Sequence, residues 1–177
     1  MEKYIALLRG INVGGKNKIS MSALKTVFEE VGFIGVKTYI NSGNIVFSSA
    51  IQDISELAGI SESAITDNFG LNIPVVIRSV KDLADILAQA PPWWDRDKGA
   101  VNYAIFVIPP FAVEEVFAVI GEAKPGYEQV DHYGNVIFWS APRETFAKTR
   151  WSKIAGSSAN NHVTIRNANT VNKLLQL

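Results

Sequence analysis

Short apolar runs and stretches of helical spacing alternate along the first half of the chain. Lys3 to Leu8 is an apolar run of strand length. From Met21 to Val31, Leu24, Val27, Phe28 and Val31 fall at i, i+3, i+4 and i+7, one face of a helix that Gly32 stops and Ser20 or Ser22 can cap. Val36 to Ile40 and Asn44 to Ser48 are β-branched and aromatic runs joined by Asn41-Ser42-Gly43, the composition of a hairpin turn, so they should pair antiparallel. A helix within Ile54 to Phe69, a strand from Ile73 to Arg78 and a trailing helix from Lys81 to Ala90 follow. This order, β-α-β-β-α-β, is the ferredoxin-like one.

Pro91-Pro92-Trp93-Trp94-Asp95-Arg96-Asp97-Lys98-Gly99 interrupts the periodicity and reads as a linker over 91–99, between a first half at 1–90 and a second at 100–177. The order then starts again. Val101 to Ile108 predicts a strand, Val113 to Ile120 a helix, Gln129 to Tyr133 and Asn135 to Trp139 a hairpin about Gly134. Arg143 to Ile154 predicts one helix, His162 to Arg166 a strand, and Thr170 to Leu175 a closing helix. Gly43-Asn44-Ile45-Val46-Phe47-Ser48-Ser49 recurs as Gly134-Asn135-Val136-Ile137-Phe138-Trp139-Ser140, which suggests duplication. The expected fold is therefore α+β: two pseudo-repeated ferredoxin-like halves, each an antiparallel sheet with a trailing helix, packed as one compact unit.

Composition changes this picture little. The 177 residues, 47% apolar and 19% charged, suit an ordinary globular protein. There is no cysteine and there are only two histidines, so disulfides, thiolate metal sites and cysteine nucleophiles are excluded, and no metal or cofactor is expected. Charge changes it more. Net charge is zero, yet residues 1–18 carry Lys3, Arg9, Lys16 and Lys18 against Glu2 alone, and residues 143–177 carry six cationic side chains against Glu144 alone. Such asymmetry permits a basic face, and scattered solvated charge is its plain alternative.

The largest difference between the halves is Arg9-Gly10-Ile11-Asn12-Val13-Gly14-Gly15-Lys16-Asn17-Lys18, which follows the first strand where the second half has Pro109-Pro110-Phe111. Gly10-x-x-x-x-Gly15-Lys16 meets most of the phosphate-loop pattern of nucleotide hydrolases. Asn17 replaces the hydroxyl that would ligate Mg²⁺, no apolar strand ends in a second metal-ligating Asp, and the sheet should be antiparallel. Nucleotide hydrolysis is therefore set aside. Two readings of the loop stay open: an anion site using backbone N–H groups and Lys16 or Lys18, or a structural loop in which glycines take positive φ and Asn12 and Asn17 bond their own backbone.

A second constellation, Lys148-Thr149-Arg150-Trp151-Ser152-Lys153 with Thr164-Ile165-Arg166-Asn167, places Arg166 at a strand end and Asn167 where it can cap a helix; a capped helix with a surface arginine is the alternative. Trp151 could stack a base, though its spacing from Ala147 and Ile154 fits a core stripe. The ligand-binding candidates are thus Arg9, Gly10, Asn12, Gly14, Gly15, Lys16, Asn17, Lys18, Arg166 and Asn167, with Asn41, Ser42, Asn44, Lys148, Arg150 and Trp151 second. No catalytic group is identified, since neither His132 nor His162 has a recognisable partner.

Through Leu7 to Ile19, Thr38-Tyr39-Ile40-Asn41-Ser42-Gly43-Asn44, and Thr164-Ile165-Arg166-Asn167 to Leu174, the chain resembles the bacterial domain-of-unknown-function family 1697 over essentially its whole length. The resemblance implies a cytoplasmic α+β protein and no particular activity. The family pattern has an aromatic residue where this chain has Ala168, a departure that weakens a stacking role for the C-terminal motif. The leading expectation is a binding protein, or an enzyme of unassigned chemistry, for a small phosphorylated or nucleotide-like ligand. An RNA- or DNA-binding module and a protein-interaction domain without a small ligand are the alternatives. No RNP-type aromatic signature supports the former, and no membrane association is expected.

Overall fold

The structure, a computed structural model, describes residues 1–177 as an α+β protein with two four-stranded antiparallel sheets. The chain divides into two compact units, Met1–Ala84 together with Lys173–Leu177, and Asp85–Asn172.

In the first unit the elements are β1 (Glu2–Leu8), α1 (Met21–Glu30), β2 (Ile34–Tyr39), β3 (Asn44–Ser49), α2 (Ile54–Phe69) and β4 (Val75–Ser79), after which α3 (Val80–Ala88) begins. The sheet order is β2-β3-β1-β4, with Ala6 opposite Ile45 on one side and Ile77 on the other. Because strand side chains alternate, Tyr4, Ala6, Leu8, Ile45, Phe47 and Ile77 share one face, where they meet Leu24 and Phe28 of α1 and Leu57 and Ile65 of α2. Phe33 stacks on Phe47 with centroids 4.2 Å apart. Ile5, Leu7 and Val46, on the opposite face, are buried too, which explains why β1 reads as an unbroken apolar run. Helix α1 starts at Ser20, whose hydroxyl accepts from Ala23 N. Helix α2 runs between Asp53, which accepts from Ser55 N and Glu56 N, and the left-handed Gly70. Lys37 Nζ donates to the Leu177 carbonyl at 2.8 Å, fastening the last residues to this unit.

The second unit holds β5 (Val101–Val107), α4 (Val113–Ile120), β6 (Gln129–Tyr133), β7 (Val136–Ala141) and β8 (Val163–Asn167), followed by α5 (Ala168–Leu174). Its sheet order, β6-β7-β5-β8, repeats that of the first. Residues 91–99 are built into this unit: Trp94 Nε1 donates to the Tyr103 carbonyl, its ring meets Phe138 edge-on at 5.0 Å, and Asn102 accepts from Asp95 N while donating to the Asp97 carbonyl.

One expected element is absent. The helix expected over Arg143 to Ile154 is replaced by three 3₁₀ turns, Arg143–Lys148, Trp151–Gly156 and Ser158–His162. The buried Glu128 carboxylate takes the backbone N–H groups of Arg150 and Trp151, which an α-helix would have used four residues back. Thr149, in extended backbone, donates its hydroxyl to Phe146 O and accepts from Ser152 N, which fixes a three-residue rhythm.

Candidate functional site

The loop after β1 folds as a miniature hairpin. Asn12 N donates to Asn17 O at 3.1 Å and Lys16 N to Val13 O at 3.0 Å. Gly14 and Gly15 form the two-residue turn, both at positive φ (58° and 75°), the sense that suits strand twist. Asn12 and Asn17, at φ 55° and 50°, occupy the region that asparagine tolerates better than most residues. Ile11 and Ile19 are buried on either side and anchor the hairpin.

Asn12 is the bracket of the site. Its Oδ1 accepts from Ile19 N at 2.8 Å, and its Nδ2 donates to the carbonyls of Ile19 and Asn41, each at 2.9 Å. Asn17 Nδ2 donates to Gly10 O at 3.0 Å. Both amides therefore bond backbone, as the structural reading of the loop requires. The outer side remains available: Gly14, Gly15, Lys16 and Lys18 are exposed, and neither lysine makes an ion pair within the chain. A depression of about 430 Å³ at the amino end of α1 is lined by Asn12, Gly15, Lys18, Ile19, Ser20 and Asn41.

The β2–β3 turn abuts this hairpin. Buried Asn44 donates to Tyr39 O and Ser42 Oγ, while Leu8 N donates to Gly43 O. Arg9, half-buried, donates its N–H to Pro74 O. Asn12, Lys18 and Asn41 thus share one surface, with Ser42 and Asn44 supporting it from behind.

Ile40 in this turn has φ 47° and is half exposed, a conformation that a β-branched residue adopts only at a cost. Ile40→Gly is expected to raise stability by about 1 kcal/mol, because relief of left-handed strain outweighs the entropy glycine adds to the unfolded chain. Urea unfolding of the two proteins measures it; a drop in midpoint removes the claim that this residue is strained.

The C-terminal candidates lie in the second unit and are largely engaged in building it. Arg166 is 7% exposed, and its Nη1 donates to Thr164 Oγ1 and to the Ile165 carbonyl. Burial pushes its pKa down to about 10. Asn167 Oδ1 accepts from Thr170 N. Arg150 donates from Nη1 to Glu122 O, and the Lys148 carbonyl accepts from Lys124 Nζ. Trp151 is fully buried, gives Nε1–H to Gly121 O and packs edge-on against Phe117, so neither ring face is open to a base. His162 stacks on Phe111. No group of three or more His, Cys, Asp or Glu side chains is arranged to hold a metal ion.

Glu128 is the residue the sequence hides. Its Oε1 accepts from Lys124 N and Arg150 N, and its Oε2 from Trp139 Nε1 and Trp151 N, so a buried carboxylate is satisfied by four N–H donors and no cation. No motif surrounds it: Lys124, four residues upstream, is the basic residue at helical spacing, yet it meets Glu128 through its backbone N–H while its ammonium goes to the Lys148 carbonyl and the Tyr127 ring.

Fold and loop together define an α+β protein of two four-stranded antiparallel sheets that carries a glycine-asparagine hairpin between its first strand and first helix. The chain belongs to the family described as "Protein of unknown function (DUF1697)", whose model matches residues 1–138. That span includes the Gly-Lys loop and the β2–β3 turn but stops before Arg166. Among solved structures, the chain is similar to the conserved bacterial protein SP0830 from Streptococcus pneumoniae, with 32% identity and a TM-score of 0.86 over 99% of this chain and 97% of that one. No curated protein matches. Neither finding assigns a specific function, and neither favours nucleic acid or a protein partner over a small ligand. No helix is long and apolar enough to cross a membrane.

Proposed function

We propose that the depression beside the β1–α1 hairpin binds a small phosphorylated or nucleotide-like anion. The observation that carries this reading is the division of labour in the loop: Asn12 and Asn17 spend their amides inward, while Lys18 and Gly15 line the open depression at the start of α1 and Lys16 stands exposed on the same hairpin. Lys18 and Lys16 supply charge, the Gly14 and Gly15 N–H groups and the Ser20 hydroxyl supply donors, and the α1 dipole adds roughly 0.3–1 kcal/mol. Arg9, Gly10, Asn12 and Asn17 hold the frame. Arg166 and Asn167 are left out of this site because their polar groups serve β8 and α5.

Isothermal titration and thermal shift with pyrophosphate, sugar phosphates and nucleotides test the reading. One of these classes should bind, and Lys18→Ala should weaken it by about tenfold, the loss of one charge-assisted contact of roughly 1.5 kcal/mol. Failure of every probe to stabilise the protein, or affinity unchanged in both Lys16→Ala and Lys18→Ala, removes it. We further read the two units as ferredoxin-like pseudo-repeats, on the strength of their common sheet order and the recurrence of Gly43–Ser49 as Gly134–Ser140. On this reading the Gly-Lys hairpin was added to one copy. A phosphorylated ligand of this kind also fits a cytoplasmic protein.

A further inference from the structure

An open concavity in the second unit has a volume of about 710 Å³, the size that receives a small organic ligand rather than a single ion. Trp93, Arg96, Asp97, Tyr127, Gln129 and Ser140 line it, and most of their chemistry is unspent. Trp94 is consumed by the fold, through its hydrogen bond to Tyr103 O and its packing on Phe138. Its neighbour Trp93 makes neither a ring contact nor an indole hydrogen bond within the chain, and lies on the cavity wall instead. Ser140 is only 9% exposed, yet its hydroxyl has no partner in the chain. That hydroxyl opens onto the cavity, where it can both donate and accept. The side chains of Arg96 and Gln129 are also unpaired.

The charges at this wall narrow the class of ligand. Asp97 stands beside Arg96; one of its oxygens accepts from Gly99 N and the other is open. Glu128 also reaches the cavity, but four N–H groups already occupy its carboxylate. A polyanion would meet these carboxylates, whereas an uncharged molecule with donors and acceptors would find complements in Ser140, Gln129 and Asp97. A planar ring would find Trp93, since ring stacking tolerates any heterocycle with a π-face. We infer that this cavity is a binding site for a planar heterocycle of nucleoside size: its ring packs on Trp93, its polar edge meets Ser140 and Gln129, and its hydroxyl groups meet Asp97. All of these residues belong to the second unit, whereas the residues of the anion-binding depression belong to the first.

The test is titration of the full-length protein with adenosine, guanosine, cytidine and uridine, followed by tryptophan fluorescence and thermal shift. At least one nucleoside should quench saturably and stabilise the protein. Ser140→Ala should weaken that binding about tenfold through one lost hydrogen bond, Trp93→Ala should abolish most of the quenching, and Lys18→Ala should leave both unchanged. Far-UV circular dichroism checks that the variants are folded, and Gln129→Ala, on the exposed edge strand, supplies a second probe should Ser140→Ala misfold. A single-stranded oligonucleotide that binds more tightly than the nucleosides, with the same dependence on Trp93 and Ser140, supports the site and assigns its base to nucleic acid. No saturable response to any nucleoside or oligonucleotide, or an equal response in Trp93→Ala and Ser140→Ala, overturns the inference.

Discussion

Glu128→Ala is expected to lower the stability of the second unit by about 4 kcal/mol, the largest effect of any single substitution described here. The change removes the acceptor for Lys124 N, Arg150 N, Trp151 N and Trp139 Nε1 together. Trp139 and Trp151 are buried, so water cannot easily replace the lost carboxylate. An orphaned buried donor costs roughly 1–3 kcal/mol, and two such donors plus two partly hydrated ones give this magnitude. Set against a total stability of about 5–15 kcal/mol, the loss would leave the unit partly unfolded at 37 °C. Glu128→Gln keeps one acceptor oxygen and turns the other into a donor that faces N–H groups, so its cost should fall at about half. Urea titrations followed by tryptophan fluorescence report both variants. A Glu128→Ala protein within 1 kcal/mol of the parent would mean that the 3₁₀ turns do not depend on this carboxylate.

Gly43→Ala is the second large effect, at about 3 kcal/mol. Gly43 sits at φ 79°, where a side chain costs about 1–2 kcal/mol, and an added Cβ would lie 2.7 Å from Leu8 Cβ and 3.0 Å from Ile11 Cδ1. Leu8 cannot yield, because it is fully buried and its N–H is bonded to Gly43 O. Overpacking of this kind adds roughly 1–3 kcal/mol. The melting temperature should drop by about 6–12 °C for a chain of this size. Gly134, the matching glycine of the second hairpin, has φ 56° but open space where its Cβ would be. Gly134→Ala should therefore cost only the conformational share, about 1–2 kcal/mol. Equal losses at the two positions would show that crowding against Leu8 and Ile11 contributes nothing.

Particular residues show how far the sequence could be read. A helix was legible only as lying somewhere within Ile54 to Phe69; α2 fills that whole stretch because Asp53 caps its start and the left-handed Gly70 ends it. The glycine-rich loop was legible as a place of positive φ, and asparagine as a residue that bonds its own backbone there. That Asn12 also grips Asn41 was not legible, since that bond spans 29 residues and depends on the pairing of β1 with β3. The stripe of Ala147, Trp151 and Ile154 does bury Trp151 and Ile154, but through 3₁₀ turns, because a carboxylate more than 20 residues upstream captures the amides an α-helix needs. Trp93 and Trp94 are identical in type and adjacent in sequence, and only the packing of Phe138 and the carbonyl of Tyr103 decide which one is structural.

Lys173–Leu177 belong to the compact unit formed by Met1–Ala84, and Lys37 holds the Leu177 carbonyl. On the ribosome, then, the first unit is begun before the second and completed after it. All of Asp85–Asn172 must be synthesised before its final segment is available. At about 5–20 residues per second, the nascent sheet of the first unit waits several seconds for the segment that Lys37 will fasten.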